Sequence, residues 1–196
     1  MYKRQADDCD IVGLLCVARS LEGGESDIAS VHEVFNILQQ ERPDVVETLT
    51  KPIWYFSRRL ETGEGQREWT VQPVIYVEPV GEGKEGRVYC KWDPYFVKSL
   101  ESRWKAGEVP EPTPEMKEAM QVLEETCQRV ALHMVLEVGD IQFLSNSQVL
   151  HARTAYKDYA ASTGKPRRHL MRLWLATPSS KSLSRYWRGV DVEGLC

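Results

Sequence analysis

No apolar run in this chain approaches the length needed to cross a bilayer. The first residues, Met1 to Asp8, are charged with no apolar stretch behind them, so they do not read as a secretory leader. There is no basic surplus either. Twenty-five Lys and Arg face 29 Asp and Glu, for a net charge of −4, and the short Arg167-Arg168 pair is no polybasic tract. That argues against a nucleic-acid partner, whose phosphates demand a cationic stripe. A glycine-rich phosphate loop is missing, as are internal repeats and low-complexity segments. The five cysteines, Cys9, Cys16, Cys90, Cys127 and Cys196, include no Cys-x-x-Cys pair and are odd in number. Neither a zinc ribbon nor a disulfide framework fits, and the thiols read as reduced core fillers of a cytoplasmic protein. Cys9, flanked by Asp8 and Asp10, stands nearest the chemistry described below.

What is present is an ordinary globular mix, 42% hydrophobic and 28% charged, in a chain of 196 residues, enough for one domain with a real core. Asp10 to Val17 is a nearly continuous apolar run and reads as a buried strand. Gly23 and Gly24 in the following turn are free to take positive φ. Ser30-Val-His-Glu33 has the form of a capping box, which predicts a helix to about Gln40 with Val31, Val34, Phe35 and Leu38 inward. Pro43 fits the first turn of a second helix, and Thr113 caps a third from Pro114 to about Cys127. Between them lie strands around Val71, Val74, Tyr76 and 87–92, with a loop marked by Gly81, Gly83 and Gly86. Leu132 to Val138 and Ile141 to Leu144 read as strands joined by a tight hairpin turn at Gly139-Asp140, and Leu170 to Ala176 as the last strand. The expected fold is mainly β with helical insertions, one domain over 1–178 followed by a polar tail over 179–196.

The chemistry concentrates in two stretches: 139–153, which carries His151 after the hairpin, and 167–172, which carries Arg168 and Arg172. Strand alternation puts Arg168, Leu170, Arg172 and Trp174 on one face, with His169 opposite. A guanidinium on a mostly apolar strand is costly to bury unpaired, so each needs an anion. That anion is either an internal Asp or Glu, the blander reading, or a carboxylate ligand.

Several short motifs occur in one order: Asp10-Ile-Val-Gly-Leu-Leu-Cys16, Glu22-Gly-Gly-Glu-Ser26, Arg42-Pro-Asp44, Gly139-Asp-Ile-Gln-Phe143, Leu150-His-Ala-Arg-Thr-Ala-Tyr156 and Arg168-His-Leu170. In these the chain resembles the C-terminal half of the TauD/TfdA family. The resemblance implies a double-stranded β-helix of the jelly-roll, clavaminate synthase-like kind. It implies Fe(II) as metal, with 2-oxoglutarate and O2 as cosubstrates, in a dioxygenase that hydroxylates or desaturates a small organic metabolite of catabolism or secondary metabolism. Carried over residue by residue, His151 matches the distal metal ligand and Asp7 the carboxylate of a His-x-Asp pair. Arg168 matches the arginine that holds the far carboxylate of 2-oxoglutarate. Ser26 stands where a threonine assists it, and Arg172 faces the cosubstrate or an anionic substrate. Asn146 and Arg153 read as loop supports, and Trp54, Tyr55 and Phe56 as core or as the wall of an apolar pocket.

The chain departs from the pattern twice. His-x-Asp reads Gln5-Ala6-Asp7, leaving the Gln5 amide as a weak ligand in place of imidazole. His32, His133 and His169 are not placed to substitute. The motif also lies almost at Met1, which reads as an N-terminally truncated barrel with exposed edges and an exposed core face, inviting a homo-oligomer. The alternative function is a catalytically inactive relative acting as a binding or regulatory module.

Overall fold

The computed structural model of the chain describes residues 3–5, 9–57, 68–78 and 87–176. Asp7, the loop containing Gly81, Gly83 and Gly86, and the tail over 179–196 lie outside the described residues.

Two antiparallel sheets face each other. The first runs β1-β11-β4-β9, from β1 (Lys3–Gln5), β11 (Val149–Arg153), β4 (Ser26–Ser30) and β9 (Leu132–Met134). The second runs β10-β2-β13, from β10 (Ile141–Ser145), β2 (Ile11–Ala18) and β13 (His169–Leu175). Short pairs flank them: β3 (Glu22–Gly23) with β12 (Tyr156–Lys157), β5 (Trp54–Ser57) with β6 (Trp69–Gln72), and β7 (Ile75–Val77) with β8 (Val88–Cys90).

Alternation sorts the first sheet. Its outer face carries Ala29 and Leu150, which join the main core. Over it lie α1 (Val31–Glu41), α2 (Pro43–Thr50) and α5 (Pro114–Arg129), with α3 (Pro94–Lys98) and α4 (Glu101–Lys105) beside them. The caps follow the sequence: Ser30 accepts from the Glu33 N–H, Thr113 from the Met116 N–H, and Pro43 opens α2. Trp54 and Phe56 are buried in this core, and the Trp54 indole donates to the Thr48 carbonyl at 3.0 Å. The core reading of these aromatics therefore holds against the pocket reading. The short helices α3 and α4 were not expected from the sequence; Pro94 at the start of α3, capped by Asp93, was the available signal.

The hairpin expected around Gly139 does not form. β9 pairs with β4 in the first sheet, whereas β10 pairs with β2 in the second. The turn at 146–148 likewise crosses from β10 to β11 in the first sheet. Chain segments that look like consecutive hairpin strands instead step between sheets, which is how a double-stranded β-helix is wound. The expected strand over 132–138 is correspondingly cut short at Met134, where the crossing begins.

The two faces of the second sheet differ, although Arg172 and Trp174 of β13 are exposed on the inward one. Val12, Leu14, Cys16 and Leu144 point inward. Outward, Val17, Ile141, Phe143, Met171, Leu173 and Leu175 form an exposed apolar surface without a charged residue among them. The Phe143 ring lies over Gly13, where a Cβ would stand 3.1 Å from it.

Candidate functional site

The interior between the sheets holds most of the residues singled out in the sequence. His151 sits on β11 with Gln5 of β1 and Ile28 of β4 as its rung neighbours. One rung on, Arg153 stands opposite Ser26, which in turn stands opposite Met134. Facing them on the second sheet are Gln142 and Arg172, both in register with Leu14. The sheets are tied across this space: the Ser26 hydroxyl donates to Gln142 Oε1 at 3.0 Å, and Gln142 Nε2 contacts Met134 Sδ at 2.7 Å.

His151 is only 4% exposed. Burial, reinforced by the positive charge of Arg172, drops its pKa to about 4. The imidazole is therefore neutral at physiological pH, the form that binds a metal. Asp7 lies outside the described residues, and among those described no three His, Cys, Asp or Glu side chains cluster to hold a metal ion. His133 is engaged elsewhere, its Nδ1 2.6 Å from the buried Asp27 carboxylate on the outer face; His32 and His169 are exposed. The loop roles of the supports are visible: the Asn146 side chain donates to the Cys9 carbonyl at 3.0 Å, while Arg153 lies over the Tyr156 ring. Cys9, Cys16, Cys90 and Cys127 are buried.

Arg168 lines one cleft with Leu170 and the inward-facing Cys16 but lies outside the strand. It precedes β13, because its backbone N–H is taken by Asp158 Oδ1 at 2.8 Å and the ladder starts only at His169. Leu170, Arg172 and Trp174 do share the inward face, but the register slips between His169 and Leu170. The half-buried Arg168 lines a small cleft, open to solvent, with Cys16, Ser20, Gly24, Glu25, Leu136 and Leu170 among its walls. Its Nη2 donates to the Gly24 carbonyl at 3.0 Å, and its guanidinium lies 5.3 Å from the Tyr156 ring centroid. Among the described residues no carboxylate is within ion-pair distance of it. Ser26, two residues beyond Gly24, does not line the cleft; its hydroxyl is turned to Gln142.

The positive φ of Gly24 is legible in the sequence but its place in the cleft is not, and the part of Thr154 does not show there at all. Gly24 has φ +80°, and a Cβ there would stand 2.6 Å from Arg168 Nε and 2.9 Å from Ser20 Oγ. The Thr154 hydroxyl accepts the Gly24 and Glu25 N–H groups at 3.0 and 3.1 Å and donates to the Glu25 carboxylate, which that bond holds below the usual carboxylate range. Thr154 and Tyr156 belong to the motif that carries His151, and only its histidine and arginine drew notice because the rest follow the strand.

The profile of the family described as "Taurine catabolism dioxygenase TauD, TfdA family" matches residues 5–174. A taurine hydroxylase-like protein, SAT17, of Stachybotrys chartarum is 30% identical over 170 residues, covering 85% of this chain and 40% of that protein. FR-33289 synthase of Streptomyces rubellomurinus is 30% identical over 172 residues, covering 87% of this chain and 48% of the synthase. The chain thus spans less than half the length of these curated relatives. Among solved structures, the non-heme iron oxygenase OrfP in complex with Fe, succinate and (3R,4R)-dihydroxy-L-Arg superposes with a TM-score of 0.60 at 16% identity, over 97% of this chain and 55% of that one. An asparagine oxygenase in complex with Fe(II), 2S,3S-3-hydroxyasparagine and succinate gives 0.59 at 17%, over 86% and 46%. These two likenesses speak for the jelly-roll fold, and the profile match, running through nearly every element described above, shows that the chain belongs to the TauD, TfdA family of taurine catabolism dioxygenases.

Proposed function

We propose that the chain works as an Fe(II)- and 2-oxoglutarate-dependent dioxygenase that hydroxylates or desaturates a small organic metabolite in secondary metabolism or catabolism. The observation that carries this reading is Arg168, a cation in an open cleft whose guanidinium makes no ion pair with a carboxylate of the described residues, although Glu25 lines the same cleft and Asp158 holds its backbone N–H. A guanidinium fork suits the distal carboxylate of 2-oxoglutarate. Arg172, on the inward face, is the second cation for cosubstrate or an anionic substrate. Ser26, the third residue assigned to the cosubstrate, donates its hydroxyl to Gln142 and does not line the cleft.

The described residues supply part of a metal site. His151 offers a buried, neutral imidazole, and Gln5 is its rung neighbour. Asp7, two residues beyond Gln5, is assigned as the carboxylate ligand, with the Gln5 amide as a weak third. When bound, iron would supply O2 activation coupled to oxidation of 2-oxoglutarate. The chain's own contribution is to keep His151 unprotonated, to orient the dicarboxylate on Arg168, and to wall the interior with Val12, Leu14 and Leu144. A cytoplasmic site of action accords with an odd number of cysteines and no Cys-x-x-Cys pair. Self-association through the apolar face of β10-β2-β13 accords with its lack of charge.

One observation favours a second reading, a non-catalytic binding or regulatory relative: the rung neighbour of His151 is an amide, not an imidazole. Anaerobic titration of the Fe(II)-loaded chain with 2-oxoglutarate separates the two. A visible charge-transfer band supports the dioxygenase. A band seen only after Gln5→His supports the non-catalytic relative. Absence from both, in folded protein, refutes the assigned metal site.

A further inference from the structure

The loop that follows β11 does more than connect two sheets. Both Arg153 and Arg168 lie over the Tyr156 ring, their guanidinium carbons 4.3 and 5.3 Å from its centroid. Two like charges so close repel one another; the charge of Arg153, after burial, is a cause of the lowered pKa of Arg168. An aromatic face attracts each through its quadrupole and so makes the pair tolerable. The loop itself is anchored at both ends of the cleft. Thr154 and the Ala155 carbonyl take the Gly24 N–H, and Asp158 takes the backbone N–H of Arg168.

The choice of an aromatic has a chemical consequence. A carboxylate paired with the Arg168 guanidinium would hold it equally firmly but would neutralise it; Asp158 accepts the Arg168 backbone N–H and Glu25 lines the cleft, and neither makes an ion pair with the guanidinium among the described residues. The Tyr156 face and the Gly24 carbonyl hold it while leaving its charge available to an incoming anion. We propose that Tyr156 is a positioning residue whose ring sets the Arg168 fork toward the cleft without neutralising it, and that this is what lets the site prefer a dicarboxylic 2-oxo acid over a monocarboxylic one. The inference rests on Arg168 as the seat of the distal carboxylate, as proposed above.

The test is calorimetric titration of the full chain with 2-oxoglutarate and with 2-oxobutyrate, which lacks the distal carboxylate. Tyr156 is 43% exposed, so its replacement empties no core. Tyr156→Leu is expected to weaken 2-oxoglutarate binding about fivefold, the size of one cation–π contact, and to leave 2-oxobutyrate unchanged. Tyr156→Phe, which keeps the ring, is expected to bind as the natural chain does. Equal weakening of both acids by Tyr156→Leu would mean that the ring merely supports the loop, and overturns the proposal. So does unchanged 2-oxoglutarate binding in Tyr156→Leu when Arg168→Gln abolishes it, an outcome that leaves the cosubstrate reading intact. If Arg168→Gln binds 2-oxoglutarate normally, or the natural chain does not bind it, the cosubstrate reading falls and this inference with it. Should Tyr156→Leu not fold, Tyr156→Gln is read by the same criteria.

Discussion

Replacing Gly24 by alanine separates what the backbone needs from what the cleft needs. Gly24 and Gly107 both adopt positive φ, +80° and +71°. A Cβ in this left-handed region costs roughly 1–2 kcal/mol at either position. At Gly107 that is the whole effect, since nothing lies within 4 Å of the added carbon. At Gly24 the new methyl would stand 2.6 Å from Arg168 Nε and 3.0 Å from its Cδ, so the side chain must move off the Gly24 carbonyl it now bonds at 3.0 Å. A hydrogen bond from a charged donor contributes about 1.5–3 kcal/mol, so the displaced fork should lose tenfold or more in affinity for a dicarboxylate. Gly107→Ala should melt about 2–8 °C below the natural chain and bind 2-oxoglutarate unchanged. Gly24→Ala should melt at least as low and bind it at least tenfold more weakly. Thermal unfolding and calorimetric titration of the two variants side by side decide the matter. Equal affinity in Gly24→Ala and Gly107→Ala would refute the argument that Arg168 depends on the bare backbone beneath it.

Other consequences follow from burial and charge. In metal-free protein, His151 is neutral when folded with a pKa of about 4, while unfolded it titrates near 6.5. The unfolded chain therefore binds more protons between these values, and stability, full above pH 6.5, should fall by up to about 3 kcal/mol as pH drops to 4. Urea unfolding across this range checks it, and a His151→Gln variant with the same slope would contradict it. Leu123→Ala, at a fully buried position on α5, should cost about 2–5 kcal/mol in denaturant unfolding, a loss under 1 kcal/mol counting against the packing described. Charging the outer face of the second sheet with Ile141→Lys and Leu173→Lys should lower self-association in sedimentation velocity with little change in melting temperature; an unchanged distribution of species would exclude that face as the contact.

Much of the fold was legible from local chemistry. The helices at 31–41, 43–50 and 114–129 announce themselves through Ser30, Pro43 and Thr113, because cap and proline preferences act within one turn. The buried strand β2 shows in its apolar run, and the positive φ of Gly23 and Gly24 in the glycine pair itself. Strand partners were not legible. Nothing within 132–145 distinguishes a hairpin from two strands in separate sheets, since both need a turn at Gly139 and similar residues on either side. The same limit hid the contacts of Arg168, which come from Tyr156 and Asp158 of one loop and Gly24 of a distant turn.

The sequence by itself determined the family, the mainly β fold with inserted helices, and the short list of chemically distinctive side chains, His151, Arg168 and Arg172 foremost. Only the tertiary structure decided which of them share a space. His151 and Arg172 face each other across the two sheets, while Arg168 stands in a cleft built by a loop and a bare glycine. The physical reason is range. Caps, turns and alternation are settled by neighbours a few residues apart, whereas the pairing of β11 with β4 and of β13 with β2 joins residues more than a hundred positions apart, through backbone hydrogen bonds that carry no record of which side chains they bring together.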